Sequence, residues 1–175
     1  TYSSVCCSIA PESKTELSSW SWNMPGSYAT YHALYPRAWT SYKIPNFKAE
    51  FVCKQITPII AQNYQDSSYP VGIFLWEIVN TGPTPIECSV LLTWQNGIGS
   101  EADQRGGAWN EAVMFKVEGV EESIRAIEMH YPAPPGENGP MTFMIAALEK
   151  SGIKVSYHTT FKTSASGEEI WDPFT

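Results

Sequence analysis

Apolar and polar positions alternate with a period of two along much of the chain. The clearest run is 86–94, where Ile86, Cys88, Val90, Leu92 and Trp94 fall on one side, with mostly polar residues between them. Successive side chains of a strand point to opposite faces, so this pattern predicts a half-buried strand. Residues 71–79 just before it are rich in β-branched and aromatic side chains, and Asn80-Thr81-Gly82-Pro83 supplies turn chemistry between the two runs. The two are expected as neighbouring antiparallel strands. Further strands are expected at 5–9, 50–55, 112–117, 124–130, 141–148 and 155–161. The composition of 141–148 would also suit a short helix, and its place in a series of spaced strands decides for β. Breakers fall between the runs at 96–99, 105–107, 132–140 and 164–167. The expected fold class is all-β: an antiparallel two-sheet β-sandwich, supersandwich-like, with little or no helix. The sequence carries no internal repeat and no low-complexity tract.

A chain of 175 residues suits one domain, and 43% hydrophobic content is enough to fill a core. With no Met at the start and with Ile170, Trp171 and Phe174 close to the end, the domain is expected to be truncated. Eleven Lys and Arg stand against 18 Asp and Glu, a net charge of −7 that argues against a nucleic-acid partner. Cys6, Cys7, Cys53 and Cys88 include no C-x-x-C pair. Two disulfides are one reading; free, partly buried thiols are preferred for a chain of this length, which points to a cytoplasmic location. No apolar stretch reaches the roughly 18 residues needed to span a membrane, and the start of the sequence, without a basic segment followed by an apolar one, leads to no expectation of a signal peptide.

Residues 31–39 and 62–70 are dense in aromatic and polar groups without clean alternation, and are expected as loops against another surface. Arg37 beside Trp39 offers a guanidinium and an aromatic face, a combination suited to sugar hydroxyls and stacking on a pyranose ring. The competing structural reading pairs Arg37 with a carboxylate such as Asp66. Glycoside hydrolysis calls for two facing carboxyl groups. The local acidic pairs Glu101/Asp103, Glu121/Glu122 and Glu168/Glu169 all lie in turn-like polar surroundings and are read as solvated loop charges. His32, His130 and His158 are too far apart for a local metal motif. His130 and His158 lie on expected strands, but no third ligand with defined spacing accompanies them, so no metal and no cofactor is expected. Neither a phosphate-binding glycine loop nor a Gly-x-Ser-x-Gly elbow occurs. No residue is assigned a catalytic role.

Several ordered motifs carry a resemblance: Ser21-Trp22-Asn23 with Gly26, YHALYPRAW at 31–39, CKQITPI at 53–59, NYQDSS at 63–68, PVGIFLWEIVNTG at 70–82, NGIG at 96–99 and GGAWNE at 106–111. In this order they resemble the N-terminal region of the non-lysosomal glucosylceramidases, or bile-acid β-glucosidases, of glycoside hydrolase family 116. The resemblance runs from about Ser19 to Trp171 and is weakest at 132–140. It implies a retaining β-glucosidase in which a β-sandwich precedes an (α/α)6 barrel, with the nucleophilic Glu and the acid/base Asp in the barrel. The chain would then be part of the N-terminal sandwich of a larger enzyme, with no catalytic residue of its own. The implied partners are the helical catalytic barrel of the same polypeptide and a glucoside or glycolipid substrate such as glucosylceramide. Contact with a membrane surface, at the endoplasmic reticulum or Golgi, follows from that substrate. Arg37, Trp39, Asp66 and Trp109 are the candidates for substrate or inter-domain contact.

Overall fold

A computed structural model describes residues 24–97, 106–132, 140–162 and 166–174. They form two compact units, one running to Val90 and the other from Leu91. The first holds a four-stranded antiparallel sheet in sequential order: β1 (Ala29–Leu34), β2 (Arg37–Lys43), β3 (Ala49–Ile56) and β4 (Ile73–Asn80). Pairing runs from Ala29 opposite Tyr42 to Leu34 opposite Arg37, then from Arg37 opposite Ile56 to Lys43 opposite Glu50, and from Ala49 opposite Asn80 to Ile56 opposite Ile73. Two residues, Tyr35 and the cis-linked Pro36, connect β1 to β2.

Alternation sorts this sheet into two faces. Tyr42, Ala49 and Cys53 are buried on one face, where Tyr42 stacks on Trp76 with ring centroids 6.2 Å apart. The opposite face carries Arg37, Trp39, Lys43, Glu50, Lys54 and Glu77. Here Lys54 Nζ lies 2.7 Å from Glu77 Oε2, and its hydrogen bond holds the Glu77 carboxyl below the usual carboxylate range. Between β3 and β4 the chain makes one helical turn, α1 (Tyr64–Ser67).

The second unit holds a three-stranded antiparallel sheet of β5 (Trp109–Lys116), β6 (Ser123–Tyr131) and β7 (Met141–Glu149), with β6 in the middle. Its core gathers on β6, where Ala126 is buried on one face and Met129 and Tyr131 on the other. Burial of a side chain the size of Met129 contributes about 1.5–3 kcal/mol. The turn from β5 to β6 closes with Val120 N–H donating to Val117 O at 3.0 Å. Gly119 there has φ of 79°, a left-handed conformation that glycine adopts without a Cβ penalty. A short C-terminal helix, α2 (Gly167–Trp171), buries Ile170.

The fold class is therefore all-β, two antiparallel sheets with little helix, consistent with a β-sandwich. Strands expected at 50–55, 71–79, 112–117, 124–130 and 141–148 are all present, and 141–148 is β as the spacing of strands suggested. In β7 the residues of one face are half-buried and those of the other exposed along most of the strand, as a period of two requires.

Residues 86–94 and 155–161 form no ladder among the described residues. One expectation needs correction: residues 31–39, expected as a loop, are instead most of the β1–β2 hairpin. Cys88 is half-buried and forms no disulfide, and Cys53 is buried. The expected strand at 5–9, together with Cys6 and Cys7, lies outside the described residues. So do Glu101, Asp103 and most of the 132–140 loop.

Candidate functional site

Cross-strand register on the three-stranded sheet builds the most chemically dense surface among the described residues. Trp109 stands opposite His130, and Glu111 opposite Glu128, so these four share one face. Thr142 of β7 stands opposite His130 from the other side. The indole of Trp109 stacks on the imidazole of His130 with centroids 4.7 Å apart and planes 15° from parallel. His130 Nε2 lies 2.7 Å from Glu111 Oε1 and 3.6 Å from Glu128 Oε2. Its other nitrogen, Nδ1, lies 3.4 Å from Thr142 Oγ1.

The cluster is held from below by amides. Asn96 Nδ2 lies 3.2 Å from Trp109 O, 2.8 Å from Asn110 Oδ1 and 3.1 Å from His130 O, and Asn110 Nδ2 donates to Thr159 O at 2.8 Å. The side chain of His130 is 19% exposed and that of Glu128 29%, against 54% for Glu111, so the imidazole is the sheltered member. Trp109 is itself 54% exposed, which leaves indole surface open beyond the stack.

Of the residues picked out from sequence, Trp109 belongs to this cluster. Arg37 and Trp39 lie two apart on β2, on one face of the four-stranded sheet, and Trp39 stacks on His32 with centroids 5.6 Å apart. Arg37 is exposed and forms no ion pair among the described residues. Asp66 has a local role: its Oδ2 accepts from Asn63 Nδ2 at 2.7 Å, and its N–H donates to Asn63 Oδ1 at 3.1 Å. This reciprocal cap opens α1, and the pairing of Asp66 with Arg37 does not occur. The N-Y-Q-D spacing at 63–66 carried that signal, a capping residue followed three positions later by an acid. Glu169 is accounted for in the same way. Its N–H donates to Ser166 Oγ at 3.2 Å, and its Oε2 accepts from Ser166 N–H at 2.9 Å.

Sequence reasoning missed Glu111 and Glu128. They are 17 positions apart, and only the β5–β6 register sets them opposite each other. Chemically, the arrangement provides an open aromatic platform beside three groups able to accept or exchange hydrogen bonds. The nearest oxygens of the two carboxylates lie within 4.8 Å of each other. Retaining glycosidases hold their two carboxyl groups about 5–5.5 Å apart around a bound sugar. Here His130 Nε2 stands against both carboxylates, so the pair is bridged by the imidazole.

Fold and surface together define an all-β domain made of two antiparallel sheets, with an aromatic and acidic face on the second. Among known families, the chain matches over residues 1–175 the one described as beta-glucosidase 2, glycosyl-hydrolase family 116 N-term. The chain belongs to that family: it is an N-terminal domain of a family 116 β-glucosidase.

Proposed function

We propose that this domain is the accessory and scaffold part of a retaining β-glucosidase whose physiological substrate is glucosylceramide. The observation that carries the reading is the family match across all 175 residues. The nucleophilic Glu and acid/base Asp then belong to a helical barrel of the same polypeptide. There the Asp protonates the departing oxygen, the Glu attacks the anomeric carbon, and water resolves the glucosyl-enzyme. This domain packs against that barrel and contributes loop and strand residues near its entrance, with Arg37, Trp39, Asp66 and Trp109 as the contact residues. A glycolipid substrate draws the parent to a membrane surface, on the cytoplasmic side of the endoplasmic reticulum or Golgi.

The purified chain alone is expected to release no product from an aryl β-glucoside, while the intact parent cleaves both that substrate and glucosylceramide in detergent micelles. Turnover by the isolated chain would overturn the division of labour. An intact parent that hydrolyses aryl glucosides and leaves glucosylceramide untouched would overturn the lipid assignment.

A second reading rests on Trp109. An exposed indole fixed by stacking on His130, with Glu111 and Glu128 beside it, has the makings of a carbohydrate platform. Titration of the intact protein with glucosides would then show a binding event that Trp109→Ala removes. Equal heats from both proteins would dismiss the platform.

A further inference from the structure

We propose that Glu111, Glu128 and His130 form a binding site for a single divalent transition-metal ion, with zinc the best match to the donor set. The site is independent of the glucosidase reading and lies on the face described above. It offers one imidazole nitrogen and two carboxylate oxygens, all within 4.8 Å of one another. Zinc accepts such ligands at about 2.0–2.2 Å, so neighbouring donor atoms on one ion lie about 2.9–3.5 Å apart. The separations from His130 Nε2, 2.7 Å to Glu111 and 3.6 Å to Glu128, sit on either side of that range. Side-chain adjustments of about an ångström, chiefly drawing together the two carboxylate oxygens that lie within 4.8 Å of each other, would bring all three to coordination distance. One or more positions would remain for water.

Three features distinguish this group from an ordinary surface ion pair. First, an imidazole needs only one carboxylate, yet a second stands directly across the strand from the first. Like charges opposite each other destabilise a sheet, and a divalent ion between them removes that cost. Second, the imidazole is already aimed. Nε2 is directed at the two carboxylates, at 2.7 Å from Glu111 and 3.6 Å from Glu128, and without metal it is the nitrogen that donates to Glu111. Nδ1 lies 3.4 Å from Thr142 Oγ1, the outer partner that would take the Nδ1 proton once an ion replaced the proton on Nε2, the usual companion of a metal-bound histidine. Third, the ring plane is fixed by Trp109 at 4.7 Å, and all three ligands stand on paired strands, which hold geometry better than loops do. Borderline ions such as zinc, cobalt or nickel suit mixed imidazole and carboxylate donors, whereas calcium and magnesium prefer oxygen alone.

The test uses the full-length protein, stripped with a chelator that is then removed, and zinc or cobalt chloride as the probe. Bound metal is counted by elemental analysis after dialysis, and cobalt is followed by its visible absorption. Wild-type protein is expected to retain one equivalent more than Glu128→Gln or His130→Gln. Thr142→Val should weaken binding by about tenfold or more, the usual cost of losing an outer partner. Zinc should raise the melting temperature of the wild type and leave that of Glu128→Gln unmoved. The glutamine keeps the shape of the side chain and relieves the carboxylate repulsion, so this variant is expected to fold, as circular dichroism would verify. Equal metal content in wild type and folded Glu128→Gln, or none in the wild type, would overturn the site.

Discussion

Arg125 and Glu149 show what a single pair contributes at the sheet of the second unit. Arg125 Nε lies 2.8 Å from Glu149 Oε2, and both side chains are about a third exposed or less. The hydrogen bond from Arg125 holds the Glu149 carboxyl below the usual carboxylate range, helped by the N–H of Val155 and opposed by partial desolvation. The guanidinium is in turn held above its ordinary value. A carboxyl lowered in the folded state stays ionised to lower pH than in the unfolded chain. Its contribution is full above the unfolded value and fades as pH falls through the folded one. The gap in melting temperature between wild type and Glu149→Gln should therefore be widest near neutrality and close on acidification. A gap that stays constant down to pH 3 would show that the charge of Glu149 has no part in stability.

At the scale of elements, local hydrogen bonds decide where the short helices begin. Ser166 and Glu169 exchange backbone and side-chain bonds at the start of α2, and Asn63 with Asp66 does the same at α1. Removing a capping side chain typically costs about 1 kcal/mol. Ser166→Ala should accordingly speed hydrogen exchange through 167–171 and lower the melting temperature slightly, while exchange in β6 is unchanged. Protection in α2 equal to wild type would mean that the burial of Ile170, and not the cap, holds the helix.

The strands were legible wherever composition and period agreed, as in β3 and β6. The β1–β2 hairpin was not, because its aromatic and polar residues fall on both faces and leave no alternating signature. Residues 86–94 show the opposite combination, a strong period with no paired neighbour among the described residues.

For the molecule as a whole, the distribution of apolar surface matters most. Ile73, Phe74, Leu75, Trp76, Ile78 and Val79 of β4, the outer strand of its sheet among the described residues, are all exposed, as are Leu92 and Trp94. An apolar strand with a free edge is a template for pairing with another chain. Expressed by itself, this domain is expected to self-associate, and Val79→Lys, directly across from Glu50, should reduce that by adding a charge at the edge and a partner for the acid. Light scattering over a concentration series would show it. Unchanged association in the variant would place the sticky surface elsewhere, for instance at 92–94.

The sequence by itself determined the class of fold, the positions of five strands and the family. Those follow from period, turn residues and ordered motifs, all of which are written in neighbouring positions. Only the tertiary structure could decide that Glu111, Glu128 and His130 converge, that Asp66 caps a helix turn, and that 31–39 folds into a hairpin. Each depends on which strand or residue stands opposite which, and register is set by the packing of whole faces across strands distant in sequence.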